Sequence, residues 1–286
     1  MINKVFFYLI LCFLVNFTGF AQGTVMESLS FQSDKLGKKV AYSIYLPEDY
    51  NTSQRTYPVL YLLHGYSDNE TNWVQSGQVK TIADKAIANE TAVPMIIVMP
   101  DAWDTWYVNQ YDGKAPYEDM FFEELIPYME KTYRIRSTKE SRAIAGLSMG
   151  GYGSFLYSLH HPEMFSACAP LSAAVFDDNV MKARQSNSHK DLYFRLFGPG
   201  LEYWKKNSVL QILSESNENN LPRVRYYIDC GDDDYLLEGN FQVHKLMQGK
   251  KIPHEFRVRD GGHSWSYWRS ALPEVLKFVS LSFSRS

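Results

Sequence analysis

A chain of 286 residues with 45% hydrophobic and 21% charged positions carries enough apolar mass for one large core or two modest ones, and nothing in it reads as disordered. Its 29 Lys and Arg against 32 Asp and Glu leave a net charge of −3 with no basic stripe, which excludes nucleic acid as the expected partner. The bias lies in the rings, 20 Tyr, 17 Phe and 6 Trp, which serve core packing and also suit a groove that stacks on sugar rings or aromatic acyl groups.

The amino end has Lys4, an apolar run from Val5 to Val15, and the small-residue exit Gly19-Phe20-Ala21. This is the pattern of a secretory signal peptide over residues 1–21, cut after Ala21, with a secreted or periplasmic product. The run is shorter than the roughly 20 residues of a bilayer span, so no stable membrane anchor is expected. Residues 22–286 contain no Gly/Ser-rich linker, repeat or low-complexity run and read as one catalytic domain; no carbohydrate-binding module is expected beside it. Cys168 and Cys230 fall in apolar stretches and are expected as buried free thiols. Asn51, Asn69 and Asn89 open Asn-x-Ser/Thr sequons, which matter only in a glycosylating host.

In chain order, Leu29 to Phe31 and Lys39 to Leu46 flank the polar turn Ser33 to Gly37 and predict a hairpin. Tyr57 to Leu63 reads as a buried strand, Val79 to Asn89 as a helix and Met95 to Met99 as a strand. Glu118 to Tyr133 spaces Phe121, Phe122, Leu125, Ile126 and Met129 along one helical face. Strands at Ala143 to Leu147 and Ser166 to Leu171 bracket a helix after Ser148. Val224 to Cys230 (strand), Phe241 to Met247 (helix), His254 to Arg259 (strand) and Tyr267 to Ser280 (helix) complete the series. Such alternation implies a mostly parallel central sheet flanked by helices. The long segment Phe176 to Leu221, helix-like around Tyr193 to Leu196 and Ser208 to Leu213, is expected to fold over the carboxyl ends of the strands, where ligands bind in open α/β sheets.

The chemistry centres on Gly146-Leu147-Ser148-Met149-Gly150, a Gly-x-Ser-x-Gly run between a strand and a helix. This is the sequence of a nucleophile elbow, in which a tight turn exposes the serine and the helix start aims free N–H groups at developing negative charge. A serine hydroxyl needs a base, and the base needs an acid to orient it. Among the seven histidines, His263 lies in a glycine-bounded loop after a late strand and is the expected base. His160 and His161 are expected to cap the helix after the elbow, and His189 sits in the insertion. The strand ending at Gly231 is followed by Asp232, Asp233 and Asp234, among which spacing does not choose. The Asp-x-Asp-x-Asp-Gly calcium pattern is absent, so neither a metal nor another cofactor is expected. His64-Gly65-Tyr66 follows the first buried strand, so the oxyanion donors are expected to be the backbone N–H groups of Tyr66 and Met149, with His64 holding the loop. Trp73, Trp106, Tyr107 and Trp265 fall in or beside loops near this edge and are expected to touch substrate.

Leu62-Leu63-His64-Gly65 with Asn72-Trp73, the run from Trp106-Tyr107 to Tyr117-Glu118-Asp119, Ala145 to Gly151, Cys230-Gly231 with Asp234, and Gly262-His263 together resemble the esterase D family of α/β-hydrolases. The resemblance spans nearly all of the chain after residue 21. It implies an α/β-hydrolase fold and the triad Ser148, Asp234 and His263, with Asp233 as the second choice of acid. It further implies an acyl-enzyme mechanism on carboxylic esters, free or polysaccharide-linked. The signal sequence disfavours the cytosolic S-formylglutathione hydrolases of that family, and the aromatic loops favour feruloyl or acetyl esters of plant cell-wall polysaccharide. The alternatives are a tributyrin-type short-acyl carboxylesterase, an acyltransferase to a sugar hydroxyl and a catalytically silent carbohydrate-binding protein.

Overall fold

The computed structural model describes residues 22–216 and 223–283. The signal peptide expected over 1–21 and the expected end of the insertion at Leu221 lie outside the described residues. The hairpin comes first, as β1 (Thr24–Ser33) and β2 (Lys38–Leu46), with an irregular register between Met26 and Leu29. Then follow β3 (Val59–Leu63), α1 (Asn72–Gln75), α2 (Val79–Ala88) and β4 (Ile96–Pro100). Tyr57 stands outside β3 and makes a lone bridge to Ile135 instead.

The helix expected over 118–133 is three pieces in line: α3 (Tyr117–Met120), a π turn (Phe121–Leu125) and α4 (Ile126–Thr132). Next come β5 (Arg142–Leu147), α5 (Met149–His160) and β6 (Ala167–Leu171). The long insertion holds more structure than its sequence announced, with α6 (Asp178–Arg184), α7 (Lys190–Phe197), α8 (Glu202–Lys206) and α9 (Val209–Glu215). The short helices α6 and α8 escaped because one or two turns show no usable apolar period. The chain ends with β7 (Arg225–Gly231), α10 (Leu237–Gly249), β8 (His254–Arg259) and α11 (Trp265–Phe283).

The strands form one eight-stranded sheet in the order β1-β2-β4-β3-β5-β6-β7-β8. β1 with β2 and β2 with β4 pair antiparallel; every other neighbouring pair is parallel. Two apolar layers follow from the twofold alternation of strand side chains. Val59, Tyr61, Leu63 and Ile144 face a cluster with Phe121, Met149, Phe155 and Val243, on the side of α3, α5 and α10. Leu60, Leu62, Ala143, Ala145, Ala167 and Ala169 face the other side, where α2 and α11 contribute Val79, Ala83, Leu272 and Val279. Both faces being covered explains why the central strands read as unbroken apolar runs.

Candidate active site

Parallel strands deliver their carboxyl ends to one edge, and the residues with chemistry leave the sheet there. Ser148 follows β5 with φ 54° and ψ −114°, a conformation that costs about 1–3 kcal/mol and persists only where its surroundings enforce it. Its N–H donates to the Leu171 carbonyl at 2.9 Å, and its own carbonyl accepts from Tyr152 at 3.0 Å and Ala174 at 2.9 Å. The flanking glycines are required by contact. A Cβ at Gly146 would lie 2.5 Å from the Gly150 oxygen, and one at Gly150 would lie 2.5 Å from the Leu63 oxygen.

Three side chains converge. Ser148 Oγ lies 3.0 Å from His263 Nε2, and His263 Nδ1 lies 2.9 Å from Asp234 Oδ2 and 3.1 Å from Oδ1. With Nδ1 donating to the carboxylate, Nε2 presents its lone pair to the serine hydroxyl, the geometry of a general base. The choice among the three aspartates is made by position. Asp234 is buried, whereas Asp232 and Asp233 are exposed, and Asp232 instead accepts from the Gly261 N–H at 2.9 Å, tying the two loops together. Burial pushes the Asp234 carboxyl up, but hydrogen bonds from His263, the Leu236 N–H and Ser172 outweigh it and hold the group below the usual carboxylate range.

The histidine loop is braced from beneath. Asp229, fully buried on β7, accepts from Arg259 at the end of β8 (2.9 and 3.1 Å), Tyr267 in the first turn of α11 (2.5 Å) and Tyr227 (2.8 Å). Arg259 and Tyr267 flank the segment that carries His263, so one carboxylate holds both its ends. Above it the Trp268 ring stands at 89° to His263 with centroids 4.9 Å apart, its indole N–H donating to Ser172 Oγ at 3.1 Å.

Met149 opens α5, so its N–H has no carbonyl one turn back to bond. Tyr66 and Met149 both border the cavity into which Ser148 opens, where their amides can meet an oxyanion. His64 is buried behind this loop. The Ala102 N–H donates to its Nε2 at 2.8 Å, so the proton sits on Nδ1, which donates to the Gly65 carbonyl at 2.8 Å.

The cavity has a volume of about 180 Å³ and is walled by Trp106, Phe176, Leu192, Tyr193, Leu236 and Arg184, with Tyr66, Tyr235 and His189 also bordering it. Of the four rings expected to touch substrate, Trp106 borders this cavity and the other three do not. Trp73 is fully buried, its indole N–H donating to the Leu63 carbonyl at 3.0 Å. Tyr107 is fully buried too, with its hydroxyl donating to the His64 carbonyl at 2.9 Å, and it packs where Gly153 has no side chain. Trp265, the first residue of α11, is half-buried and stands edge-on to Trp73 and Trp268 against the core layer. These rings build the floor that supports the loops. The rings missed from the sequence, Tyr66, Phe176, Tyr193 and Tyr235, lie in the oxyanion loop, in the insertion and beside the acid.

The remaining histidines serve structure. His160 and His161 do not cap α5 with their rings; both bond the buried Glu118, at 2.8 and 3.1 Å, and His160 Nε2 also reaches the Lys206 carbonyl at 3.0 Å. His244 and His254 hydrogen-bond each other at 2.8 Å. Cys168 and Cys230 are free and buried, and burial pushes both thiols up to about 12.

The model of the Esterase family matches residues 33–279. The endo-1,4-beta-xylanase/feruloyl esterase of Xylanibacter ruminicola is 35% identical over 164 residues, covering 55% of this chain and 23% of that protein. Esterase Rv1288 of Mycobacterium tuberculosis is 30% identical over 259 residues, covering 82% of this chain and 54% of that protein. The chain therefore spans about half or less of the length of these two curated relatives. A solved ferulic acid esterase is similar with a TM-score of 0.80 and 35% identity, covering 92% of this chain and 99% of that one. With a family match across most of its length and the expected mostly parallel sheet beneath it, the chain belongs to the Esterase family of α/β-hydrolases.

Proposed function

We propose that the protein is a serine carboxylesterase acting through an acyl-enzyme, with feruloyl-type aromatic acyl groups on plant cell-wall polysaccharide or its oligosaccharides as preferred substrates. One observation carries the reading: Ser148, relayed to His263 and Asp234, opens into a ring-walled cavity of about 180 Å³. An apolar cavity of roughly 150 Å³ accepts benzene, so this one has room for a single aromatic ring and not for a sugar chain. The acyl group therefore enters and the carbohydrate stays outside. The names of the Xylanibacter relative and of the solved ferulic acid esterase agree with that choice.

The chemistry follows from the positions. His263 Nε2 takes the Ser148 proton as the oxygen attacks the ester carbonyl, and Asp234 stabilises the imidazolium through Nδ1–H. The Tyr66 and Met149 amides accommodate the oxyanion. Collapse expels the alcohol, which takes the proton from His263, leaving an acyl-serine. Water, deprotonated by His263, attacks this ester and releases the acid, restoring Ser148 to its starting state. The Lys4 to Ala21 pattern supports export, so the site of action is secreted or periplasmic.

The test is a product-resolved panel of methyl ferulate, acetylated xylan, tributyrin and a simple acetyl ester, with Ser148→Ala as control. Ferulate release that falls at least about 10⁴-fold in the variant supports the proposal. Turnover of the acetyl and butyryl esters with no ferulate release assigns the short-acyl alternative instead. Acyl transfer outrunning hydrolysis when a sugar acceptor is added assigns the transferase.

A further inference from the structure

Arg184, at the end of α6, is the cationic side chain in the inner wall of the cavity, and it is held by rings where several other arginines are held by carboxylates. Arg142, Arg195 and Arg259 each meet a carboxylate, Glu130, Asp104 and Asp229 respectively. Arg184 has no carboxylate within ion-pair distance among the described residues. Its guanidinium lies 3.9 Å above the Phe176 ring, and one of its N–H groups donates to the Tyr193 hydroxyl at 2.6 Å. The side chain is half-buried and borders the same space as Ser148. A guanidinium has five donors, and a neutral phenol satisfies one of them. Stacking on Phe176 fixes its plane, which prepares its edge for an oxygen without a further loss of rotamer freedom.

The direction of the substrate is set by the triad. His263 must pass its proton to the leaving oxygen, so the alcohol departs on the His263 side, and His263 is not part of the cavity wall. The acyl group extends the other way, towards Trp106, Phe176, Tyr193 and Arg184. We propose that Arg184 is a specificity-determining residue that selects acyl groups carrying an acceptor oxygen, phenolic or carboxylate, at the end remote from the ester. This rests on the aromatic-acyl reading above and narrows it: a bare hydrocarbon ring fills the cavity but offers no acceptor to the guanidinium donors that Tyr193 leaves free.

Three esters test it: methyl cinnamate, methyl 4-hydroxycinnamate and methyl 4-carboxycinnamate, each with the wild-type protein, Arg184→Met and Arg184→Lys. The wild-type protein is expected to favour at least one oxygenated ester over methyl cinnamate by about tenfold or more in kcat/KM. In Arg184→Met that ratio falls towards one, mainly through KM of the oxygenated ester, whereas Arg184→Lys retains part of it. The two oxygenated arms distinguish a phenol from an anion as the preferred partner. Equal wild-type turnover of all three esters overturns the role of Arg184 and leaves the aromatic-acyl reading standing. Turnover of tributyrin with none of the three overturns both. The wild-type comparison needs no variant, so poor folding of Arg184→Met does not protect the proposal.

Discussion

His64 Nδ1 donates to the carbonyl of Gly65, the residue that follows it, at 2.8 Å. In a trans peptide the C=O of Gly65 and the N–H of Tyr66 point in opposite directions. A ring that pulls the carbonyl inward therefore turns the amide outward, towards the cavity bordered by Tyr66. The other ring nitrogen accepts from Ala102, so the loop after β4 fixes the imidazole in place.

Replacing His64 by Ala should thus loosen an oxyanion donor that it does not itself contain. Removing such a donor outright costs about 10²–10³ in kcat, and misaiming one should cost about 10–100-fold, with a smaller change in KM. Steady-state kinetics on a soluble ester decides this; a loss confined to KM would assign His64 to substrate binding instead.

The three consecutive aspartates make a sharper contrast. Asp234→Asn keeps the shape of the acid but cannot hold the imidazole in the required tautomer, and kcat should fall by about 10³–10⁴-fold. Asp233→Asn, at an exposed position on the same turn, should stay within about threefold of wild type. Active-site titration keeps the comparison per folded molecule, and equal losses in the two variants would remove Asp234 as the acid.

The attachment of the insertion is expected to depend on pH. His160 donates from both ring nitrogens, to Glu118 and to the Lys206 carbonyl of α8, a state open only to the imidazolium. Burial lowers its pKa, but the hydrogen bond and charge of Glu118 outweigh this and raise it above the ordinary 6.5. Burial likewise raises Glu118, yet hydrogen bonds from His160 and His161 bring it below 4.5. The histidine contribution is therefore complete below pH 6.5 and lost as pH climbs through the raised value. The glutamate contribution is complete above 4.5 and lost as pH drops through the lowered one. Stability from this cluster is greatest between those limits. Amide exchange of α8 at pH 5.5 and pH 8.5 checks it: opening should be easier at pH 8.5, and His160→Gln should abolish the difference.

The elements that the sequence announced are those whose cause is local or periodic. Apolar runs marked the buried strands, and the glycines at 146 and 150 marked an elbow because their neighbours leave no room for a Cβ. The preference for Asp234 over Asp232 and Asp233 came from a family resemblance, since three adjacent carboxylates look alike until one is turned beneath a histidine. The rings of the cavity wall were the least legible part. Trp73 and Tyr107 lie within a few residues of the correct loops, but each bonds a backbone carbonyl and is drawn into the core. Nothing in the local pattern separates a ring that floors a loop from one that walls a cavity. That distinction depends on which surface the insertion covers, and α6 and α8 were themselves too short to be seen.

The candidate reacting groups and part of the cavity wall come from different stretches of this chain. Ser148, His263, Asp234 and the amides of Tyr66 and Met149 all leave the edge of the sheet, whereas Phe176, Arg184, Leu192 and Tyr193 arrive from one contiguous excursion between β6 and β7. Changes confined to that excursion alter part of the cavity wall without touching Ser148, His263 or Asp234. Grafting the corresponding stretch of a relative onto this scaffold is therefore a route to new acid preferences, with the turnover chemistry left as it stands.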